Sequence, residues 1–486
     1  MSLDETRGRL WVGLYLPDFA LEVFARASRA AEPLAICEGN GRAQQIVCAN
    51  AAARRLGVLP GLSASAALAL GSALRIRRRD LPAERAALET LAAWAGQFSP
   101  LVHVVAPQAL VIEVGGSLRL FGGLEALLAA LELGLAELGY RARFGVAPTP
   151  LAATWLARAG VDEPVTDPTR LAGALAELPL TVLELAPGER EGFEAMGVRR
   201  VGEVLRLPRD GVARRWGAAL LAQLDRALGR LPDPRAAFVP AASFESQLLL
   251  PGTVENVEGM VFALQRLVAE LCGALRSRVA GVAELELLLL HPGTEATRVE
   301  LRLVAPSRDA RHLLELFREQ LARVTLPAPV EALRLRAPKL AGLAAASLDL
   351  FGSRQADAET AGVLIERLRA RLGRRAVRGL KSVAEHRPER AYAWSEPGEG
   401  GTAVDSAERP FWLLPKPLPL EMRDGQPWFG GTLELEDNVE RIESGWWDGT
   451  DIARDYFVAR NGQGERYWVY RDLPQARQWW LHGVFG

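Results

Sequence analysis

Apolar and polar positions divide the first 165 residues into alternating strand-like and helix-like segments. Residues 10–16 (LWVGLYL) form a continuous apolar run ended by Pro17, the pattern of a strand buried on both faces. Similar runs cover 109–114, ahead of Gly115 and Gly116, and 142–147. Leucines at helical spacing predict a helix over 123–138, and a helix of small residues follows over 151–159. The resulting βαββαβ order predicts a split βαβ, ferredoxin-like sheet. Inserted in it, 49–70 reads as two short alanine-rich helices joined at Gly57–Gly61, followed by a basic strand over 74–79.

From Leu178 to Gly229 the pattern is helical throughout. Within it FEAMGVRRVGEVLRLP (193–208) has the form of a helix-hairpin-helix element. There Gly197 and Gly202 would let backbone N–H groups approach a DNA phosphate, with Arg199 and Arg200 supplying charge. A tight turn between packed helices has the same appearance. Residues 240–340 return to α/β: strands near 248–254, 284–291, 298–304 and 331–337, with amphipathic helices at 257–278 and 308–323.

The tail differs. Eight of the 12 tryptophans and four of the six tyrosines follow residue 390, so a separate C-terminal module is expected over 411–486. The polar, Pro- and Gly-rich stretch 386–410 before it reads as a linker. Most of these tryptophans suit the core of a small α/β module. Trp446, Trp447, Trp479 and Trp480 come in adjacent pairs, however. On a strand one member of each pair points away from the core, which makes them candidate partner anchors.

Charge and composition mainly exclude. The 58 basic and 59 acidic residues leave a net charge of −1, which argues against strong unspecific DNA affinity. Only Lys339, Lys381 and Lys416 are lysine, so the first 338 residues hold no phosphate-loop lysine and no Schiff-base lysine. Cys37, Cys48 and Cys272 and five scattered histidines form no metal motif and no disulfide framework, as expected of a cytoplasmic protein without a metal cofactor. The N-terminal residues do not read as a signal peptide, and no apolar run is long enough to span a membrane.

Together the pieces resemble the Y-family (translesion) DNA polymerases. NAAARRLGV (50–58) is similar to that family's fingers motif SYEARKFGV, and FGVAPTPLAATWLA (144–157) to its GISxNKxLAKxA. The resemblance puts Arg54 in the place of a triphosphate-contacting arginine, Ala51 where the family has a tyrosine, and Thr154 where it has lysine. It implies an α+β multidomain chain: a palm over 1–165 with fingers inserted at about 35–80, a helix-hairpin-helix thumb over 166–235 and a little finger over 240–340.

Nucleotide addition needs carboxylates that hold two Mg²⁺ ions. The resemblance locates the first set in Leu14–Pro17, which contains no acid, and the second at Gln108 and Ala109, with Glu113 matching a later, non-catalytic acid. Asp18 lies at least one residue out of register, which on a strand turns a side chain to the other face. This loss, with LIERLRARLGRRAV (364–377), HRPERA (386–391), RPFWLLPKPLPL (409–420), VERIESGWWDG (439–449), YWVYRD (467–472) and WWLHGVFG (479–486), narrows the resemblance to the ImuB family, polymerase-like subunits of the bacterial mutasome.

The resemblance implies a non-catalytic adaptor in SOS-induced, error-prone translesion synthesis. Its implied partners are the DNA polymerase III beta sliding clamp, an error-prone C-family polymerase alpha subunit, a RecA-like ImuA accessory protein and primed or damaged DNA. An active low-fidelity polymerase using Asp18 and Glu113 is the alternative. Within the 341–385 segment, SLDLF (Ser347, Leu348, Asp349, Leu350, Phe351) is similar to the clamp-docking pentapeptide QLxLF, with Leu350 and Phe351 as the apolar plug. Arg75, Arg77, Arg78 and Arg79 form either a DNA-facing strip or a solvated strand edge, and Arg374, Arg375, Arg378 and Lys381 suit a partner protein or a phosphate chain.

Overall fold

A computed structural model of the chain describes residues 9–27, 32–343, 354–402, 408–473 and 478–485. It divides into two compact units, Met1–Arg371 and Leu372–Gly486. Among the described residues no helix is long and apolar enough to cross a membrane.

The first unit opens with strand β1 (Trp11–Tyr15) and helix α1 (Phe19–Ala25). The fingers follow as β2 (Leu34–Glu38), β3 (Gln45–Ala49), α2 (Ala51–Arg55), α3 (Ala64–Ala69) and β4 (Arg75–Arg78). The rest of the palm is α4 (Leu81–Ala95), β5 (Val102–Val105), β6 (Ala109–Glu113), α5 (Leu118–Phe121), α6 (Leu124–Leu138), β7 (Arg143–Ala147) and α7 (Pro150–Ala159). The palm sheet has the order β5-β6-β1-β7, the split βαβ arrangement that the apolar runs predict, and the fingers form a separate sheet, β3-β2-β4.

Small residues have a packing purpose here. Gly13 of β1 pairs with Gly145 of β7, and a Cβ on Gly13 would sit 2.5 Å from the Ala153 carbonyl oxygen. Helix α7, with Ala152 and Ala153 fully buried, therefore lies closer to the sheet than larger side chains would permit. Asn50, Ser63, Asp80 and Thr149 cap α2, α3, α4 and α7 by accepting backbone N–H bonds, which fixes where each helix begins.

The thumb comprises α8 (Pro168–Ala176), α9 (Pro187–Ala195), α10 (Val201–Arg206), α11 (Arg209–Trp216) and α12 (Ala218–Ala227). Its leucines and valines share one core with Trp155 of α7. The little finger contains β8 (Phe244–Val254), α13 (Val257–Arg276), β9 (Ala280–Leu290), β10 (Thr297–Ser307), α14 (Ala310–Leu321), β11 (Val330–Ala337) and β12 (Ala341–Gly342). Its sheet runs β10-β9-β11-β8, with β12 on β9, and all its pairings are antiparallel. Helix α15 (Arg354–Leu372) returns to it: Glu366 takes the Val304 N–H and pairs with His312, each at 2.5 Å.

The second unit is all-β among its described residues, where a small α/β module was expected. It holds a hairpin, β13 (Gly379–Ser382) and β14 (Tyr392–Ser395), then β15 (Trp412–Arg423), β16 (Gln426–Trp428), β17 (Glu434–Ser444), β18 (Ile452–Arg460), β19 (Arg466–Asp472) and β20 (Trp479–Val484). The last six make one antiparallel sheet in the order β16-β15-β20-β19-β18-β17. The 386–410 stretch, expected as a linker, is ordered structure in its first half. It contributes strand β14 and a buried Arg387, because a guanidinium with fixed carboxylate partners and a paired strand hold the chain where composition alone indicates looseness.

Candidate functional site

In the palm, Tyr15 lies opposite Ala109 and Leu14 opposite Leu110, and the Leu16 N–H donates to the Gln108 carbonyl at 3.0 Å. The two segments to which the resemblance assigns metal-binding acids are thus neighbours in space. Leu14, Leu16 and Ala109 are buried, and the Arg158 guanidinium stands 5.9 Å from the centre of the Tyr15 ring. Asp18 comes after Pro17 at the start of α1, where its carboxylate pairs with the Arg54 guanidinium at 3.3 Å. Glu113 is at the far end of β6, opposite Trp11, and accepts the Gly115 N–H at 3.0 Å.

Among the described residues no three His, Cys, Asp or Glu side chains are grouped to hold a metal ion. Leu14–Pro17 and Gln108–Leu110 contain no carboxylate.

The other residues singled out in the palm and fingers are dispersed. Ala51 and Arg54 are exposed on the short helix α2. Thr154 is buried, and its hydroxyl donates to the Pro150 carbonyl at 2.9 Å, so it turns back onto its own helix. In the arginine strip, Arg75 pairs with Glu32 at 3.1 Å, Arg78 bonds Asn40 at 2.7 Å and Arg79 forks onto Glu84 at 2.8 and 2.9 Å.

The thumb hairpin has the shape that its sequence predicts, but its backbone donors are occupied. Gly197 has φ +76°, a conformation glycine adopts readily, and turns the chain between α9 and α10. From Gly197 to Val201 every N–H already has an acceptor: the Glu194 and Phe193 carbonyls, the Glu203 carboxylate at 2.6 Å from Arg199 N and 3.0 Å from Arg200 N, and the Leu178 carbonyl. The Arg199 N–H first, and the Arg200 N–H with it, hold the Glu203 carboxyl below its ordinary range.

Gly202 is buried, where a Cβ would meet Ala176 at 2.7 Å, so it packs α10 on α8 and does not open the backbone to a phosphate. What the hairpin presents outward is charge. Arg199 and Arg200 are exposed, the latter paired with Glu177.

The tryptophan pairs divide. Trp479 and Trp480 on β20 face opposite sides of the sheet, and each side carries its own apolar cluster, so Trp479 is buried and Trp480 half-buried. Neither ring stands free in solvent, since each packs into its own cluster. Trp446 and Trp447 are not on a strand: they lie in a turn after β17, 81% and 59% exposed, with rings 5.6 Å apart and at 84°.

Sequence reasoning missed the residue that holds this turn. The buried Arg387 guanidinium forks onto Asp448 at 2.8 and 3.0 Å, meets Glu385 at 2.7 Å and Thr450 Oγ1 at 2.8 Å, and lies 5.5 Å from the Trp447 ring centre. Hydrogen bonding from Arg387 is the main cause that lowers the Glu385 carboxyl to about 2. Gly445, at φ +92°, leaves room for the same guanidinium. The pentapeptide Ser347, Leu348, Asp349, Leu350, Phe351 lies outside the described residues.

A second missed cluster joins palm to little finger. Arg26, the C-cap of α1, and Glu270 of α13 form an ion pair with side chains 3% and 1% exposed, and the Ser246 hydroxyl donates to the other Glu270 oxygen at 2.5 Å. Burial pulls the Arg26 guanidinium down, and Glu270, Tyr140 and Glu22 together more than reverse it. Beside them Glu22 accepts the Arg141 N–H at 3.0 Å, and burial pushes its carboxyl up to about 8. Trp94 of α4 wedges against Gly134 of α6 and Gly273 of α13, both of which lack the Cβ that would exclude it.

Residues 14–158 match the model of the IMS (impB/mucB/samB) family. Among solved structures, DinB from Sulfolobus solfataricus is 16% identical, covering 69% of this chain and 100% of its own, with a TM-score of 0.38. A post-insertion binary complex of Dbh DNA polymerase is 17% identical, covering 68% of this chain and 99% of its own, also with a TM-score of 0.38. The ImuB proteins of two Caulobacter vibrioides strains, NA1000 / CB15N and ATCC 19089 / CB 15, are each 31% identical over 459 residues, 89% of this chain and 100% of theirs. With that identity over the whole length of these relatives, the chain belongs to the ImuB family.

Proposed function

We propose that this protein is a non-catalytic, polymerase-like adaptor in SOS-induced, error-prone translesion DNA synthesis in the cytoplasm. It docks on the DNA polymerase III beta sliding clamp through Ser347–Phe351 and holds primed or damaged DNA with thumb and little finger, Arg199 and Arg200 supplying charge to the phosphates. Its C-terminal unit engages an error-prone C-family polymerase alpha subunit and the RecA-like ImuA protein, with Trp446 and Trp447 as aromatic anchors on the turn that Arg387 holds.

The observation that carries the reading is the composition of the palm strand ends. Leu14–Pro17 and Gln108–Ala109, the segments to which the resemblance assigns the carboxylates of two-metal chemistry, are neighbours and contain no acid. Asp18 and Glu113, the acids of the alternative, have Arg54 and the Gly115 N–H as their partners, near opposite ends of the palm strands.

Primer extension on a lesion-free and a damaged template, with Mg²⁺ and with Mn²⁺, tests it. The expected result is no template-dependent incorporation. Incorporation that disappears in Asp18→Ala would overturn the reading. Clamp docking is tested separately: Leu350→Ala with Phe351→Ala should abolish co-purification with the clamp, and unchanged co-purification removes the pentapeptide from the account.

A further inference from the structure

We propose that the β13–β14 hairpin of the C-terminal unit is a stacking platform for single-stranded DNA. In its antiparallel register Leu380 faces Trp394 and Ser382 faces Tyr392, so all four side chains share one face of the hairpin. That face is bare: Leu380, Tyr392 and Trp394 are 61%, 56% and 63% exposed. Two rings and a leucine side by side in water have a cost in a soluble protein that a bound apolar or aromatic surface removes.

The 396–402 segment folds back against the hairpin backbone. Gly379 leaves no room for a Cβ against Glu396, and Gly401 none against Ser382, whose carbonyl accepts the Thr402 N–H at 3.1 Å.

Spacing and charge select the occupant. Side chains two residues apart on one strand stand about 6.8 Å apart. That is roughly twice the 3.4 Å rise per base of a stacked strand, so Tyr392 and Trp394 suit neighbouring bases of a stretched single strand. The bases of a duplex are already stacked on one another and have no free faces to offer.

The chain flanking the rings carries Arg374, Arg375, Arg378 and Lys381; Arg374 pairs with Glu396 at 2.5 Å, and Lys381, on the opposite face, pairs with Glu399 at 2.6 Å. The Arg378 guanidinium lies 5.9 Å from the Trp394 ring centre, placed to add a cation–π contact and to meet a backbone phosphate. Aromatic rings beside an excess of positive charge recognise single strands without regard to sequence. This ligand goes beyond the proposed adaptor function, in which thumb and little finger take the DNA and the C-terminal unit takes proteins.

The test uses the full chain and a fluorescent oligothymidylate at low salt, followed by anisotropy, with a duplex of equal length as control. Trp394→Ala and Tyr392→Ala should each weaken single-strand binding about 5- to 150-fold and leave the duplex unchanged. Trp394→Phe, which keeps a ring, should restore most of the affinity. Arg375→Gln with Arg378→Gln should reduce the slope of log K against log salt by about 1.4.

Because thumb and little finger also take DNA in the proposed function, a 5-iododeoxyuridine oligonucleotide is photocrosslinked and the modified peptide mapped; Tyr392 or Trp394 is the expected site. Affinity within twofold of the unmodified chain in both alanine variants, an equal loss on duplex, or crosslinks confined to the first unit would each overturn the proposal.

Discussion

The two units use tryptophan in opposite ways. In the first, Trp11, Trp94 and Trp155 are buried, filling space between helices and sheet or wedged against glycines. In the second, Trp394, Trp412, Trp446 and Trp447 stand in solvent, although Tyr456 and Trp468 stack 4.0 Å apart in a core of their own. The polar groups are distributed accordingly. At the palm strand ends the first unit carries leucine, proline and alanine, whereas in the second a buried arginine holds up an exposed pair of rings. A ferredoxin-like palm keeps its fold without acids at its strand ends, since apolar burial and not carboxylates holds those strands together.

The sharpest way to break this contrast is to remove a ring on each side of it. Trp155→Ala empties a site 1% exposed at the join of palm and thumb and should cost about 3–5 kcal/mol. Urea unfolding of the full chain should show an early transition; a midpoint unchanged from the parent would mean that this core does not depend on it.

The polar side of the contrast is tested next, at the palm–little-finger junction. Glu270→Ala leaves the Arg26 guanidinium buried without its counter-charge and should lose about 3–5 kcal/mol. Replacing both members, Arg26→Met with Glu270→Leu, should recover most of that loss, since a packed apolar pair replaces a desolvated ionic one. If the double variant is as unstable as the single one, the pair does more than satisfy its own charge.

Much of this layout was legible in the chain. Leu10–Leu16 ending at Pro17 gave β1, the glycines at 57 and 61 separated the finger helices, and leucine spacing located α6, because each is a local pattern with one strong period. The hairpin at Gly197 was legible for the same reason. Its meaning was not: the Glu203 carboxylate that occupies the hairpin amides is a three-dimensional fact. Arg387 sits in a motif quoted as typical of the family, yet its partner Asp448 is 61 residues away, and no spacing rule joins them. Arg26 and Glu270, 244 residues apart, gave no signal at all. The expectation for Trp446 and Trp447 rests on their adjacency, which on a strand would turn one ring outward, whereas both lie in a turn. The turn that displaces them depends on that distant arginine.

Glu22 adds a pH dependence to the junction. Burial is the largest cause of its raised carboxyl value, the Asp18 carboxylate adds to it, and the Arg141 N–H, the Arg141 charge and Arg26 oppose it. Its ordinary value is 4.5 and its folded value about 8, so between them the folded protein binds a proton that the unfolded chain has released. Stability falls as pH rises through that window and the penalty is absent below it. Glu22→Gln should therefore be more stable than the parent at pH 8, by at most about 1.4 kcal/mol for each pH unit across the window. The two proteins should converge near pH 4. Parallel curves from pH 4 to 8 would show that Glu22 titrates as an ordinary surface carboxyl.

The smallest stability effect is expected where the rings are most exposed. Trp446→Ala and Trp447→Ala remove side chains that cover little apolar surface, and each should change the unfolding free energy by no more than about 0.5 kcal/mol. Their effect should appear in association: a buried aromatic anchor contributes about 2 kcal/mol or more to an interface, so binding to a C-family alpha subunit or ImuA should weaken about thirtyfold or more. Arg387→Lys separates presentation from contact. It leaves both rings in place and removes the bidentate fork onto Asp448, so the turn loosens and binding should weaken while the rings remain. Full binding by Arg387→Lys beside lost binding in Trp446→Ala would mean that the rings act without their support, and the contrast between the two units would then lie in exposure alone.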